Sequence, residues 1–251
     1  MTIGDIKNLL EGTEIEGLPA VLASLEGDER SGVKKLVKHY KKWYTKAKDE
    51  EKRLDGMLVF ERRYADYGNI CGTDEVGAGP LAGPVAAGAV ILPPDCIIDG
   101  MNDSKQLSAK KRDELYVVIK EKAVACAVAF VDNNCIDEIN ILQARLKAMA
   151  LACESLVPRP GLMLVDGNAA PNMNIKHVLL GKDGDCKSMS VAAASVLAKV
   201  ERDRLMLDYH KIYPQYGFDR NKGYGTAEHL AAIKNHGPTP IHRMTFITGL
   251  R

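Results

Sequence analysis

Hydrophobic and polar positions follow two different periods along the chain, and the pattern changes near residue 65. Before that point, apolar residues recur at steps of three and four within SGVKKLVKHYKKWYTKAK, which is the spacing of one face of an amphipathic helix. From residue 68 onward, short apolar runs alternate with longer helical patterns. The pattern predicts an α/β fold, layered around a mixed central β-sheet, with helical segments at both ends.

The elements of the second part are predicted from apolar runs and the residues that flank them. Strands are expected over residues 70–76, 85–92, 124–131, 162–166 and 177–180. Ser108 and Asp137 are candidate helix caps, and Thr226 caps a last helix that ends near Gly237. A long helix of small residues is expected in SMSVAAASVLAKVERDRLMLDYH. The first two strands are antiparallel, because a short Gly/Pro turn separates them.

The composition restricts the possible classes of protein but indicates no particular function. The chain has 46% hydrophobic and 27% charged residues and a net charge of +1, so any basic surface for nucleic acid must be local. Six cysteines occur without a C-x-x-C pair, which is typical of core residues in a reducing compartment. No signal peptide is expected in the first residues, which carry early acids, and no apolar run approaches the roughly 20 residues of a membrane span. A cytoplasmic protein is expected.

A local basic surface does occur in the predicted N-terminal helix. Between Arg30 and Arg53 the sequence has ten basic and three acidic residues. Two interpretations remain open: a solvated helix face, or an auxiliary surface that binds phosphates.

The stretch GTDEVGAGPLAGP, residues 72–84, is compatible with two kinds of site, a dinucleotide-binding turn or a group of acidic metal ligands. Its glycines suggest a dinucleotide-binding turn, which requires a helix that opens at the glycines and leads to a parallel strand. Pro80 and Pro84 interrupt such a helix, and the next strand begins at Val85. The dinucleotide interpretation therefore fails on geometry, and the acids of this stretch become the candidates.

Acidic residues follow apolar runs at separate strand ends. Asp74 and Glu75 end the first strand, and Asp166 follows the run LMLV. Both acids of the first pair reach one site if the glycines bend the strand there. Oxygen ligands suit Mg²⁺ or Mn²⁺. Convergent carboxylates of this kind are typical of two-metal phosphodiester hydrolysis.

The fourth acid is ambiguous from the residues alone. Asp185 in LLGKDGDCKS and Asp203 in VERDRLM are alternatives, whereas Asp183 is interpreted as a turn residue. The six histidines form no H-x-H or H-E-x-x-H pair, so a zinc site is not expected.

The combination of motifs resembles the type 2 ribonuclease H family, ribonuclease HII. The segments that carry the resemblance are GTDEVGAGPLAGPV, NDSKQLS, LMLVDGN, GDCKSMSVAAASVLAKVERDR and YGFDRNKGYGTAEHLAAIKNHGPTPIHR. They stand in the family's order and span residues 68–246, while residues 1–65 are similar to an N-terminal helical extension of some bacterial members. The resemblance divides the chain into this extension, a ribonuclease H-like catalytic domain over 66–208, and a loop–helix segment over 209–251 that completes the substrate groove.

The resemblance implies a metal-dependent endoribonuclease. Such enzymes cut the RNA strand of RNA–DNA hybrids and incise beside single ribonucleotides in duplex DNA, with two Mg²⁺ or Mn²⁺ ions when substrate is bound. The implied catalytic and metal-binding acids are Asp74, Glu75, Asp166 and Asp185, so the resemblance selects Asp185 over Asp203. A monomer without a membrane partner is expected.

The resemblance also implies a set of substrate-binding residues. They are Gly77, Ala78, Gly79, Ser104, Lys105, Lys187 and Tyr224. Glycine amides can approach a ribose closely, the lysines would contact phosphates, and Tyr224 would stack on the following deoxyribose. One departure is Ala78, where the family ordinarily has arginine. Two alternatives follow: a hybrid-specific nuclease with weak activity at single ribonucleotides, or a hybrid-binding protein with impaired catalysis.

Overall fold

The computed structural model describes residues 1–248. The chain folds into two compact units, the first spanning Met1–Asp55 and the second beginning at Gly56. The sequence places the first boundary later, between residues 65 and 66, and the predicted division into three domains stays a prediction.

The first unit is helical, as its three- and four-residue periodicity predicts. Its helices are α1 (Ile3–Glu11), α2 (Leu18–Ser24) and α3 (Ser31–Gly56). Its core is formed by apolar residues from all three helices: Ile6, Leu10, Leu18, Leu22 and Val33. Lys34 lies 2.6 Å from Glu29, and Lys41 lies 2.5 Å from Glu26. Exposed ion pairs of this kind contribute little stability, and both interpretations of the basic face stay open.

The second unit is built on a mixed five-stranded sheet. Its strands are β1 (Ile70–Val76), β2 (Val85–Ile91), β3 (Ala125–Val131), β4 (Leu162–Val165) and β5 (Lys176–Leu179). The spatial order is β3-β2-β1-β4-β5. The first three strands pair antiparallel, and β4 and β5 extend the sheet in parallel beside β1. The carboxyl ends of β1 and β4 therefore meet at one edge.

Helices cover this sheet on two faces. The helices of the second unit are α4 (Val59–Arg63), α5 (Ala109–Lys122), α6 (Asn133–Glu154), α7 (Met189–Ile212), α8 (Phe218–Asn221), α9 (Ala227–His236) and α10 (Met244–Ile247). The buried residues of α6 pack with alternate residues of the strands, such as Cys71, Ala87 and Val165. Helix α7 covers the other face, where Val191 packs with Ile70. Within residues 1–248, no helix is both long and apolar enough to cross a membrane.

Small residues allow α7 to lie directly on the sheet. A Cβ atom at Gly72 of β1 would lie 2.2 Å from the backbone carbon of Ser190 and 2.3 Å from the amide nitrogen of Val191. The first turns of α7 are almost entirely buried and include Ala192, Ala193 and Ala194. Glycine on the strand and alanine on the helix therefore set the distance between these two layers.

The predicted cap of α6 is wrong. Asp132 caps the helix, its side chain accepting a hydrogen bond from the amide of Cys135. Asp137 lies within the helix and accepts from the amides of Met244 and Thr245 at 2.7 and 3.0 Å. The error arises because the helix is broken at Asn140 (φ 67°), so the apolar periodicity begins later than the helix.

Candidate active site

Two adjacent acids end strand β1 and point to opposite faces of the sheet. Asp74 lies on the α7 side, is 5% exposed, and has a hydrogen bond from Ser195. Glu75 lies on the α6 side, where its Oε1 is 2.7 Å from Arg145 Nε. The amide of Glu75 also donates to Asp74 Oδ1 at 2.7 Å. The bend that the sequence predicts follows only at Gly77, so each acid is held by a different helix.

Asp166 lies beside the β1 pair because strand β4 continues the parallel ladder. Its amide donates to the carbonyl of Thr73 at 3.1 Å. Its Oδ1 accepts from the amide of Gly184 at 2.7 Å, which draws the segment containing Asp185 to the end of the strand. Asp185 is 4% exposed. The four acids therefore converge on one end of the sheet from three separate segments.

The charges of these acids act on one another. Burial raises the pKa of Asp74 well above its ordinary value, and the charges of Glu75 and Asp166 raise it further. Burial also raises the pKa of Glu75, although Arg145 opposes the change. Burial and the neighbouring Asp103 raise the pKa of Asp185 to about 6. The cluster is thus an accumulation of negative charge that a cation would stabilise.

The raised pKa of Asp185 predicts that the protein loses stability as the pH rises. Since its folded-state pKa of about 6 exceeds the ordinary 3.8, the group favours folding below about pH 4, and that contribution is lost as pH rises through 6. We expect Asp185→Asn to raise the stability of the metal-free protein by on the order of 1–2 kcal/mol at about pH 7.5 and by less at about pH 4.5. Thermal unfolding at both pH values measures this. An equal change at both would contradict it.

The donor chemistry of the cluster fits a hard divalent cation. All four groups are carboxylates, and Oε2 of Glu75 is buried without a hydrogen-bond partner, which leaves it available as a ligand. The cleft beside them has a volume of about 490 Å³ and is lined by Asp166, Asp185 and Lys105, among others. Within residues 1–248, no three His, Cys, Asp or Glu side chains already form a cation site. The carboxylates therefore match Mg²⁺ or Mn²⁺ in type and must reorient to bind it.

The glycine loop, residues 77–84, lies next to the acids and is held by Arg243. This side chain is fully buried, and its guanidinium donates to the carbonyls of Gly77, Ala78 and Gly83 at 2.6, 2.8 and 3.0 Å. Because a trans peptide directs its C=O and N–H oppositely, the amides of Ala78 and Gly79 point away from Arg243. The sequence predicted that these amides meet substrate, and their orientation is compatible with that.

Arg202 holds the other half of the glycine loop. It too is fully buried, and it donates to the carbonyls of Pro84 and Ala82 at 2.9 and 3.3 Å. Gly77 has φ +86°, and a Cβ atom there would lie 2.1 Å from Arg202 Nε, so the loop closes over this guanidinium only with glycine. Burial lowers the pKa of Arg202.

Three further predicted substrate-binding residues differ in exposure and in the contacts that hold their side chains. Tyr224 is 43% exposed, and its ring atom Cε1 lies 3.7 Å from the place of a Cβ at Gly79. Lys105 is exposed; burial works against its charge, but nearby aspartates, Asp103 first, raise its pKa. Lys187 donates to the carbonyls of Leu180 and Lys182 at 2.9 and 2.7 Å. Its contact with phosphate stays a prediction.

Ser104 has its side chain turned inward. It is 3% exposed, and its Oγ lies 2.8 Å from Oγ of Ser195, the residue that bonds Asp74. Asp203, the alternative fourth acid, forms an ion pair with Lys199 at 2.8 Å within α7. Asp183 adopts a left-handed turn conformation, with φ 63°, in agreement with its interpretation as a turn residue.

Several residues of the site had no usable signal in the sequence. Arg145 is one of many basic residues on predicted helices, and Asp103 reads as an ordinary turn acid. Arg243 could have been found, since it belongs to the segment PIHR, but nothing in that segment indicates burial. Long-range contacts assign these roles.

Comparisons with known proteins agree with this architecture. Residues 71–249 match the family model described as Ribonuclease HII, and residues 2–65 match the Ribonuclease HII N-terminal domain. A ribonuclease HII of Lachnoclostridium phytofermentans is 49% identical over 248 residues, covering 99% of this chain and 97% of that protein.

Solved structures are also similar. Ribonuclease H2 from Pyrococcus horikoshii matches with a TM-score of 0.61 and 25% identity, over 72% of this chain and 96% of that one. Bst-RNase HIII, solved in complex with Mn²⁺, matches with a TM-score of 0.54 and 19% identity, over 67% of this chain and 63% of that one; this second likeness shows the fold alone. The predicted fold is confirmed.

Proposed function

Since the chain belongs to the ribonuclease HII family and is therefore a ribonuclease H hydrolase, we propose that it incises duplex DNA on the 5′ side of single embedded ribonucleotides. It also cuts the RNA strand of RNA–DNA hybrids, and in both cases it leaves a 3′-hydroxyl and a 5′-phosphate. The observation that carries this proposal is the convergence of four carboxylates beside a glycine loop and Tyr224. Removal of ribonucleotides and primers from DNA is the role that such products fit.

The proposed catalytic centre consists of Asp74, Glu75, Asp166 and Asp185, which would hold the cations. When bound there, Mg²⁺ or Mn²⁺ supplies activation of water and neutralisation of charge on the leaving oxygen. Arg145 contacts Glu75 on one side of the strand, and Ser195 contacts Asp74 on the other, so both carboxylates would have to reorient when a cation binds.

The proposed substrate-binding residues would distinguish ribose from deoxyribose. Outward amides of Ala78 and Gly79 would bond the 2′-hydroxyl and the adjacent phosphate, and the glycines on either side of Ala78 let the backbone approach closely. The ring of Tyr224 would stack on the following deoxyribose, as its position against Gly79 allows. Lys105, exposed near the acids, would contact a phosphate oxygen. Lys187 is proposed as a second phosphate contact.

A second candidate function is supported by Ala78. Because alanine offers no charged group to a phosphate, the protein would act chiefly on continuous hybrids and weakly on single ribonucleotides. The two candidates are separated by kcat/KM on two duplexes of the same sequence, one with a single ribonucleotide and one with a continuous RNA strand. Efficient incision of the first supports the leading proposal, and cleavage of the second alone supports the alternative.

Introducing an arginine at Ala78 is expected to tighten binding. A charge-assisted hydrogen bond to phosphate contributes about 1.5–3 kcal/mol, so Kd of Ala78→Arg for a duplex with one ribonucleotide should fall roughly 10- to 100-fold. Fluorescence titration in EDTA, which prevents turnover, measures this.

The matched control is Ala78→Gln, which has a long polar side chain without charge. We expect it to change the Kd far less than Ala78→Arg. Equal affinity of Ala78→Arg and the original protein, or weaker binding by Ala78→Arg, would contradict the prediction.

A further inference from the structure

Two histidines lie side by side beneath the glycine loop, outside the proposed chemistry. His229 and His242 are 0% and 1% exposed, and their Nε2 atoms are 3.0 Å apart. His229 belongs to α9, whereas His242 pairs with Ala82 of the glycine loop. The rings of Tyr216 and Phe218 pack around both. In such an enclosure an unpartnered ring nitrogen would be costly.

The neighbours of this pair fix its protons. The amide of Thr239, which can only donate, lies 2.8 Å from Nδ1 of His242. The proton of His242 is therefore on Nε2, from which it is donated to Nε2 of His229. His229 in turn has its proton on Nδ1, which donates to the carbonyl oxygen of Tyr224 at 2.9 Å. The hydrogen bonds run in one direction, from Thr239 to Tyr224.

Both imidazoles are suited to this neutral arrangement. Burial lowers the pKa of His229, and burial together with His229 lowers the pKa of His242 to about 4. Each ring therefore has one donor and one acceptor near neutral pH, and all four ring nitrogens have a partner.

The end of this hydrogen-bond chain is the residue proposed to stack on substrate. The Tyr224 carbonyl points inward and accepts from His229 and from the amide of Thr226, the latter at 2.8 Å. The ring points outward against Gly79. The preceding carbonyl, of Gly223, accepts from the amide of Leu81 at 2.8 Å. An apolar side chain could fill the volume of His229, but it could not donate to Tyr224.

We propose that His229 and His242 are positioning residues for substrate selection, which hold Tyr224 against the glycine loop through a directed chain of hydrogen bonds. This inference rests on the proposed function, because it concerns the ring that contacts the deoxyribose after a single ribonucleotide. Loss of the chain removes one of the two hydrogen bonds that the Tyr224 carbonyl accepts, which loosens this residue and weakens selection, while the four carboxylates are untouched. Cleavage of a continuous hybrid is therefore affected less.

The test compares two substitutions that differ in where they place an amide. Asn places its NH₂ near the position of Nδ1, and Gln places it near Nε2. The selectivity ratio is kcat/KM on a duplex with one ribonucleotide divided by kcat/KM on a continuous hybrid of the same sequence. We expect H229Q to lower this ratio about tenfold, the effect of losing roughly one such hydrogen bond. H229N should keep most of the selectivity ratio. Y224A gives the selectivity ratio of a protein that lacks the Tyr224 ring.

A double substitution separates positioning from general support of the fold. If His229 acts through Tyr224, H229Q adds no further loss of ratio in the Y224A background. His236, exposed on the same helix, supplies the control H236Q, which should leave the ratio unchanged. Thermal unfolding of each variant, with its rate on the continuous hybrid, confirms that it is folded.

The possible failures are distinguishable. Three results would overturn the positioning role alone. They are an equal loss of kcat/KM on both substrates in H229Q, an additive loss of the selectivity ratio when H229Q is combined with Y224A, and equal selectivity ratios for H229N and H229Q. An unchanged ratio in Y224A would overturn both this role and the stacking proposed for Tyr224. Absence of single-ribonucleotide cleavage by the unsubstituted protein would contradict the proposed function itself.

Discussion

Replacing Asp74 by asparagine is expected to reduce cleavage by roughly 10³-fold or more while substrate binding is retained. The carboxylate lies at the end of β1, 5% exposed, within electrostatic reach of the other three acids. A metal ligand supports several kcal/mol of transition-state stabilisation, and each 1.4 kcal/mol corresponds to about a factor of ten in rate. Asparagine has nearly the same shape, so the loss would come from the missing charge.

Asp203→Asn is the matched control for this substitution. Asp203 is an acid of α7 in an ion pair with Lys199, and the sequence alone left it as an alternative fourth ligand. Single-turnover rates and Kd in EDTA measure catalysis and binding separately. We expect Asp203→Asn to keep nearly full activity. Activity retained in Asp74→Asn, or lost equally in both variants, would contradict the assignment of the acids.

Replacing Gly72 by alanine is expected to be strongly destabilising for a change of a single methyl group. The added Cβ would lie 2.2 Å from the backbone of Ser190, so α7 must move as a unit because no flexible side chain can yield. Overpacking typically costs about 1–3 kcal/mol, and more where backbone must shift. We expect a loss of at least about 3 kcal/mol, a fall in Tm of roughly 6–12 °C.

Replacing Gly72 is also expected to affect the active site. Helix α7 holds Ser195 beside Asp74, and it begins soon after Asp185, so its displacement should also lower the cleavage rate of the folded fraction. Gly56→Ala is the control, since no atom lies within 4 Å of a Cβ at Gly56 and alanine favours the end of α3. Differential scanning calorimetry compares them. A Tm for Gly72→Ala within 2 °C of the Gly56→Ala value, about 1 kcal/mol or less, would contradict the account.

Local sequence features were sufficient to place the strands and most helices. Apolar runs located both ends of β1 through β5 to within one residue, and Ser108 and Thr226 cap the helices that the sequence assigned to them. The cap at Asp137 was wrong because the break at Asn140 hides the true start of α6 from its apolar pattern. Local patterns therefore work where an element is continuous and fail where tertiary contacts interrupt it.

The site was predictable only in part for the same reason. Asp74, Glu75 and Asp166 follow buried strands, so their convergence follows from sheet geometry, and the family resemblance was needed to select Asp185. Asp74 and Glu75 take opposite faces because successive strand residues alternate, but the pairing of Glu75 with Arg145 involves a residue distant in sequence. Likewise, the partnership of His229 with His242 exists only once α9 and the segment after it fold together.

The central claim is that the four carboxylates form a divalent-cation site that hydrolyses the bond on the 5′ side of a ribonucleotide. The most direct measurement uses a duplex with one ribonucleotide, incubated with Mg²⁺, Mn²⁺ or EDTA, with the cut position and end groups mapped. We expect a single cut 5′ of the ribonucleotide, with a 3′-hydroxyl and a 5′-phosphate, only when a divalent cation is present. Cleavage that persists in EDTA, a cut elsewhere, or binding without cleavage in either metal would contradict it.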